Sequence, residues 1–261
     1  MRQDFVGGEI LAFESGDGVR LAGRLLPASR PGARGRLVVV CPGFAQHKDT
    51  GPMRRVSAML RPFGDVLCLD FRGTGASRGR YGFGNREPLD LRAALDWARP
   101  RYRERVVAGF SMGSYIALRA AAQWPGLANR LLLVSCPTRL EDVLMTLGPL
   151  RQSLTMFTHW PALGLRLKGG SNPFFRWANP LARKPRGEDL AARLREPASF
   201  LVGGRDQLVL PSLSRRVFEA AGASSTFDQV AQGYHAEYIF LQHPQASLAW
   251  VERELEARGQ G

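Results

Sequence analysis

Lysine is nearly missing from this chain. Lys48, Lys168 and Lys184 are the only three among 36 basic residues, so 33 arginines face 23 acidic groups and leave a formal charge of +13. A surface built for nucleic acid concentrates basic residues along one element with interleaved aromatics. Most of these arginines sit singly, spread from Arg2 to Arg258, so no nucleic-acid partner is expected. Cysteine is scarce as well: Cys41, Cys68 and Cys136 form an odd set without C-x-x-C spacing or an accompanying histidine cluster. That excludes a disulfide scaffold and a zinc module, and each cysteine lies in an apolar run where it reads as a small buried hydrophobe. No window approaches 18 consecutive apolar residues, and the opening MRQDFVGGEILAFE lacks the apolar centre of a signal peptide. The location expected from this is cytoplasmic. Internal repeats and low-complexity tracts are also absent.

What is present is the composition of a folded α/β chain. A hydrophobic fraction of 44% with 14 Phe and 5 Trp is too rich for intrinsic disorder, and 29 Gly without a three-residue period are not collagen. At 261 residues the chain suits one α/β domain carrying an insertion. Two alternating runs, EILAF from Glu9 and VRLAGRLL from Val19, flank Ser15-Gly16-Asp17-Gly18 and predict an antiparallel hairpin. Short apolar runs then alternate with helical stretches: RLVVVC, a helix near Arg54 to Leu60, DVLCLD, a helix near Glu87 to Ala98, RVVAGF, a helix from Met112 to Trp124, and RLLLVS. Continuous β-branched runs are what parallel strands buried on both faces require, so a parallel sheet with helices on both sides is expected. The rhythm stops at Pro137 and resumes at ASFLVGG, followed by a helix from Pro211 to Ala221, STFDQV and a helix near Pro244 to Arg258. Residues 1–137 and 196–261 therefore read as one core, and 138–195 as an insertion.

The chemistry concentrates at Gly109-Phe110-Ser111-Met112-Gly113, a G-x-S-x-G lying between the run RVVAGF and an Ala-rich helix. A serine at a sharp strand-to-helix turn is pushed outward at the C-terminal edge of the sheet, and the flanking glycines remove Cβ atoms that would clash there. A hydroxyl needs a base to take its proton, and the base needs an acid to orient it. Asp206 stands at the exit of ASFLVGG and His235 follows STFDQV, so both belong at the same edge. Asp142, after the sixth strand, is the rival acid. His47 is read either as a substrate contact or as the anchor of its own loop. His159 and His243 occupy positions where surface or helix-start roles are the ordinary ones.

In this order and context the three residues resemble the α/β-hydrolase fold family, in its esterase, lipase and serine-aminopeptidase branch. The resemblance runs from the hairpin to the last helix and is weakest in the insertion. It implies an eight-stranded, mostly parallel sheet with an N-terminal antiparallel hairpin and a helical cap inserted after the sixth strand. It also implies a Ser111, Asp206 and His235 triad, with backbone N–H groups of Phe44 and Met112 as the oxyanion hole. Many members carry His where this chain has Pro42, a departure that leaves backbone donors in place. Asp70-Phe71-Arg72-Gly73-Thr74-Gly75-Ala76-Ser77 is similar to the family's turn after the fourth strand and is read as structural.

As a cap, residues 138–195 supply Trp160, Phe174 and Trp177 as candidate substrate contacts. They hold ten basic groups against four acidic ones, which is +6 of the +13. A basic cap argues against a peptidase site, which must receive a substrate ammonium. It fits a small-molecule acyl ester with an apolar acyl or aromatic part, with transient contact at an anionic membrane surface as a further expectation. The activity implied is carboxylic ester hydrolysis, with acyl thioesterase or acyltransferase chemistry as the alternative, and no metal or organic cofactor. A non-catalytic binding protein on the same scaffold would ordinarily have lost a triad member. Dehalogenases and epoxide hydrolases of this fold carry Asp at the position of Ser111.

Overall fold

A computed structural model describes residues 7–139 and 183–256. Trp160, Phe174, Trp177 and Asp142 lie outside the described residues. The eight strands are β1 (Glu9–Glu14), β2 (Arg20–Leu26), β3 (Arg36–Cys41), β4 (Asp65–Asp70), β5 (Glu104–Phe110), β6 (Arg130–Val134), β7 (Ala198–Gly203) and β8 (Thr226–Val230). They form one sheet in the order β1-β2-β4-β3-β5-β6-β7-β8. The hairpin β1–β2 and the β2–β4 pairing are antiparallel, and the rest are parallel.

The helices of the described residues are α1 (Gly51–Leu60), α2 (Glu87–Ala98), α3 (Met112–Gln123), α4 (Gly187–Ala191), α5 (Pro211–Glu219), α6 (Glu237–Gln242) and α7 (Pro244–Glu256). Side chains of a strand alternate between faces, and the core divides accordingly. Leu37, Val39 and Cys41 of β3 pack with α2, α3 and α4, while Val38 and Val40 pack with α1, α6 and α7. Each fully buried Val, Leu or Phe contributes about 1.5–3 kcal/mol, so a sheet covered twice needs no cross-link. All three cysteines are buried free thiols, and burial pushes Cys68 up to about 12, which leaves it unreactive.

The sheet topology is the one expected, and the differences lie in helix ends and short helices. Helix α1 begins at Gly51, ahead of its apolar periodicity, because Pro52 in its first turn supplies a helical φ. Helices α4 and α6 are too short to show a period. Even so, Leu190 and Ala191 of α4 and Ile239 and Phe240 of α6 are core residues.

The turn after β4 fastens the site-bearing loops to the sheet. The Asp70 carboxylate accepts N–H bonds from Lys48 and Ala76, each at 2.8 Å, and the Lys48 ammonium lies 3.0 Å away. Ser77 Oγ donates to the Asp70 carbonyl and accepts from Ala22 N–H on β2. Arg72, nearly fully buried, donates two bonds to Asp17 in the hairpin turn at 2.7 and 2.9 Å, and pairs with Asp90 of α2 at 2.6 Å.

Candidate active site

Ser111 is the single residue between β5 and α3 and has φ 53° and ψ −117°, a backbone state a non-glycine residue adopts only when its surroundings enforce it. The enforcement is visible in the packing. A Cβ on Gly109 would lie 2.6 Å from Ser114 Cα, and one on Gly113 would lie 2.6 Å from the Pro42 carbonyl oxygen. Ser114 Oγ donates to the carbonyls of Gly109 and Val134, tying the start of α3 to β5 and β6. The Ser111 hydroxyl makes no capping bond to its own helix and lies 2.8 Å from His235 Nε2.

His235 follows β8 in the loop that leads to α6. Its Nδ1 lies 2.8 and 3.0 Å from the two carboxylate oxygens of Asp206, which lies just beyond β7. A carboxylate on Nδ1 requires that nitrogen to carry the proton, so Nε2 is left to accept from the serine. Asp206 is 2% exposed and fully engaged: Oδ1 accepts from the N–H groups of Leu208 and Val209 at 2.9 Å, and Oδ2 accepts from Ser135 Oγ at 2.7 Å. Close approach of the two loops depends on glycine. Gly203 has no room for a Cβ against the Gly233 and Tyr234 carbonyls, and Arg205 N–H donates to the Gly233 carbonyl.

The residues expected to stabilise an oxyanion flank the serine. Met112 opens α3, where the first-turn amides have no intrahelical partner, and the positive end of the helix dipole faces the same point. Phe44 follows Gly43, whose Cβ position lies 3.4 Å from Ser111 Cβ. The Phe44 ring stacks on Phe83 with centroids 5.6 Å apart and contacts Tyr81 at 5.8 Å, which anchors the peptide that carries its amide. His47 Nδ1 accepts from Asp49 N–H at 3.3 Å, its carbonyl accepts from Thr50 Oγ1, and burial lowers its affinity for a proton.

Two groups escaped the sequence reading. Ser135, fully buried with φ 49°, donates to Asp206 and accepts from Ala236 N–H at 3.0 Å, so one hydroxyl joins the loops after β6, β7 and β8. Its only signal in the sequence is a polar residue closing the run LLLVS. Glu237 accepts from Gln46 Nε2 at 3.0 Å and ties the histidine loop to the Phe44 loop; burial pushes its carboxyl above the ordinary range. Beyond His235 the surface opens into a cleft of about 300 Å³ whose walls include Arg205, Leu208, Tyr234 and Tyr238. Among the described residues no group of three or more His, Cys, Asp or Glu is arranged to hold a metal ion, and no helix is long and apolar enough to cross a membrane.

A serine hydroxyl on an imidazole, with the imidazole on a buried carboxylate, can generate an alkoxide equivalent. Comparisons with known proteins agree with the fold that carries it. An esterase of Pyrococcus furiosus superposes with a TM-score of 0.76 over 96% of this chain and 91% of its own, at 20% identity, a likeness of fold. An uncharacterized protein of Mycobacterium tuberculosis (strain ATCC 25618 / H37Rv) is 30% identical over 226 residues, 82% of this chain and 67% of that protein. An uncharacterized protein of Rickettsia prowazekii (strain Madrid E) is 37% identical over 75 residues, which are 28% of this chain and 31% of its relative. The sequence profile of the alpha/beta hydrolase family matches residues 38–250, and the chain belongs to that family.

Proposed function

We propose that the protein is a serine hydrolase that cleaves carboxylic esters through an acyl-enzyme intermediate. The observation that carries this reading is the unbroken hydrogen-bonded chain from Ser111 Oγ through His235 to Asp206, with 2.8 Å at each junction. In the first half-reaction Ser111 Oγ bonds to the acyl carbon while its proton passes to His235 Nε2. The oxyanion that forms is held by the Phe44 and Met112 amides. Its collapse breaks the bond to the alcohol oxygen, which takes the proton from Nε2. Water then repeats the sequence, with His235 as base and then as acid, and releases the carboxylic acid. Asp206 keeps the imidazole in the Nδ1–H tautomer and offsets the charge it gains. The apolar and basic cap sequence, residues 138–195, supports an apolar acyl or aromatic ester as substrate. A thioesterase would run the same steps with a thiolate leaving, and an acyltransferase with an alcohol or amine in place of water.

A fluorophosphonate probe tests the nucleophile. Wild type is expected to be labelled, and Ser111→Ala is expected to take no label and to lose at least about 10³-fold in kcat. Asp206→Asn should lose a comparable factor; near-full activity in that variant would reassign the acid. A panel pairing esters with thioesters of the same acyl chain decides between the two leaving groups.

A further inference from the structure

We propose that the cleft beside His235 receives the alcohol half of the ester, and that it favours an aromatic alcohol bearing an anionic substituent whose charge is met by Arg205. This rests on the reading of the protein as a serine hydrolase and names the side of the substrate that confers selectivity.

The placement follows from the order of strands and from proton transfer. His235 delivers its proton to the leaving oxygen, so that oxygen must lie within hydrogen-bond reach of Nε2. Along the sheet edge the loops run Phe44 after β3, Ser111 after β5, Asp206 after β7 and His235 after β8. The Phe44 amide thus stands on the β3 side of the serine and the histidine on the β8 side. An alcohol departing at Nε2 extends toward the loops after β7 and β8, and those loops supply the walls of the cleft: Arg205 and Leu208 from one, Tyr234 and Tyr238 from the other and from α6.

The chemistry of the walls names the occupant. Five large apolar or aromatic side chains among the described residues are exposed, and three of them, Leu208 at 37% and Tyr234 and Tyr238 at 44%, line this one cleft. Single exposed apolar residues need no explanation, but three gathered against a reactive histidine make a surface suited to a flat ring. Arg205 is exposed and makes no ion pair among the described residues, whereas Arg24, Arg36, Arg72 and Arg253 each meet a carboxylate. No carboxylate belongs to the lining. The Asp206 charge is occupied by His235, Ser135 and two amides, and Glu237, outside the lining, is buried and bonded to Gln46. Among the described residues the lining therefore offers positive charge alone.

The test compares 3-carboxyphenyl acetate with 3-(trimethylammonio)phenyl acetate, each kcat/KM normalised to the hydroxide-catalysed rate of the same ester. Wild type is expected to favour the carboxylate by about fivefold or more, with the ratio falling at high salt. Arg205→Gln should bring the ratio near one, and Arg205→Glu should invert it. Because Arg205 is on the surface, both variants are expected to fold. A wild-type ratio near one, or a ratio untouched by Arg205→Gln, overturns the proposal. So does a stronger Arg205 effect on phenyl hydrogen succinate, measured against phenyl butyrate, because that would move the anion to the acyl side. If Ser111 takes the fluorophosphonate while the two aryl esters react alike, the cleft assignment falls and the hydrolase reading stands. If Ser111 takes no label and no ester is cleaved, the parent reading falls with it.

Discussion

Ser135 carries no charge and lies outside the proposed chemical steps, yet its Oγ bonds both the Asp206 carboxylate and the backbone behind His235. A hydroxyl suits the position because it donates to the acid and accepts from Ala236 N–H at once. Ser135→Ala should lower kcat about tenfold, ~1.4 kcal/mol for one bond to a charged acceptor, with KM changed less than twofold. Ser135→Gly, which accommodates φ 49° but has no hydroxyl, is expected to fall as far. Steady-state kinetics on the two variants separates the bond from backbone relief. Ser111, Asp206 and His235 were legible because a motif, chain order and strand exits converge on them. Ser135 was not, because a serine closing an apolar run has no spacing to mark it, and the bond that gives it a role spans 71 residues.

At the scale of elements, the turn between β5 and α3 leaves no room for side-chain atoms at its glycines. Gly113 packs against the Pro42 carbonyl of the loop that also carries Phe44, so a methyl there must push the first turn of α3 away from β3. Gly113→Ala should cost about 1–3 kcal/mol in urea-induced unfolding and reduce ester hydrolysis by more than Ser111 labelling, since the oxyanion peptide moves with the loop. Strands and long helices could be read from sequence because a core covered on both faces demands continuous apolar runs and helices of several turns. Helices α4 and α6 could not, because five or six residues hold too few turns for a pattern, and tertiary contacts at Leu190 and Phe240 hold them.

For the whole molecule, the formal +13 exceeds what local ion pairs can neutralise, and one partly buried pairing, Arg72 with Asp17, gives a pH signature. The Arg72 guanidinium holds Asp17 well below the usual carboxylate range. A carboxyl depressed in the folded state stabilises fully above its unfolded value near 3.8 and loses that contribution as pH falls through the folded value. Asp17→Asn should therefore lower stability by about 2 kcal/mol at pH 7, and the gap in Tm from wild type should narrow below about pH 4. Four non-glycine residues with positive φ at the site, Ala45, Ser111, Ser135 and Ala236, sit in the loops after β3, β5, β6 and β8, and each conformation costs about 1–3 kcal/mol that only intact packing sustains. A small local opening releases that strain while the sheet persists, so catalytic competence should decay ahead of secondary structure as temperature or denaturant rises, and return after it on refolding, with the site assembling only once all eight strands are in register.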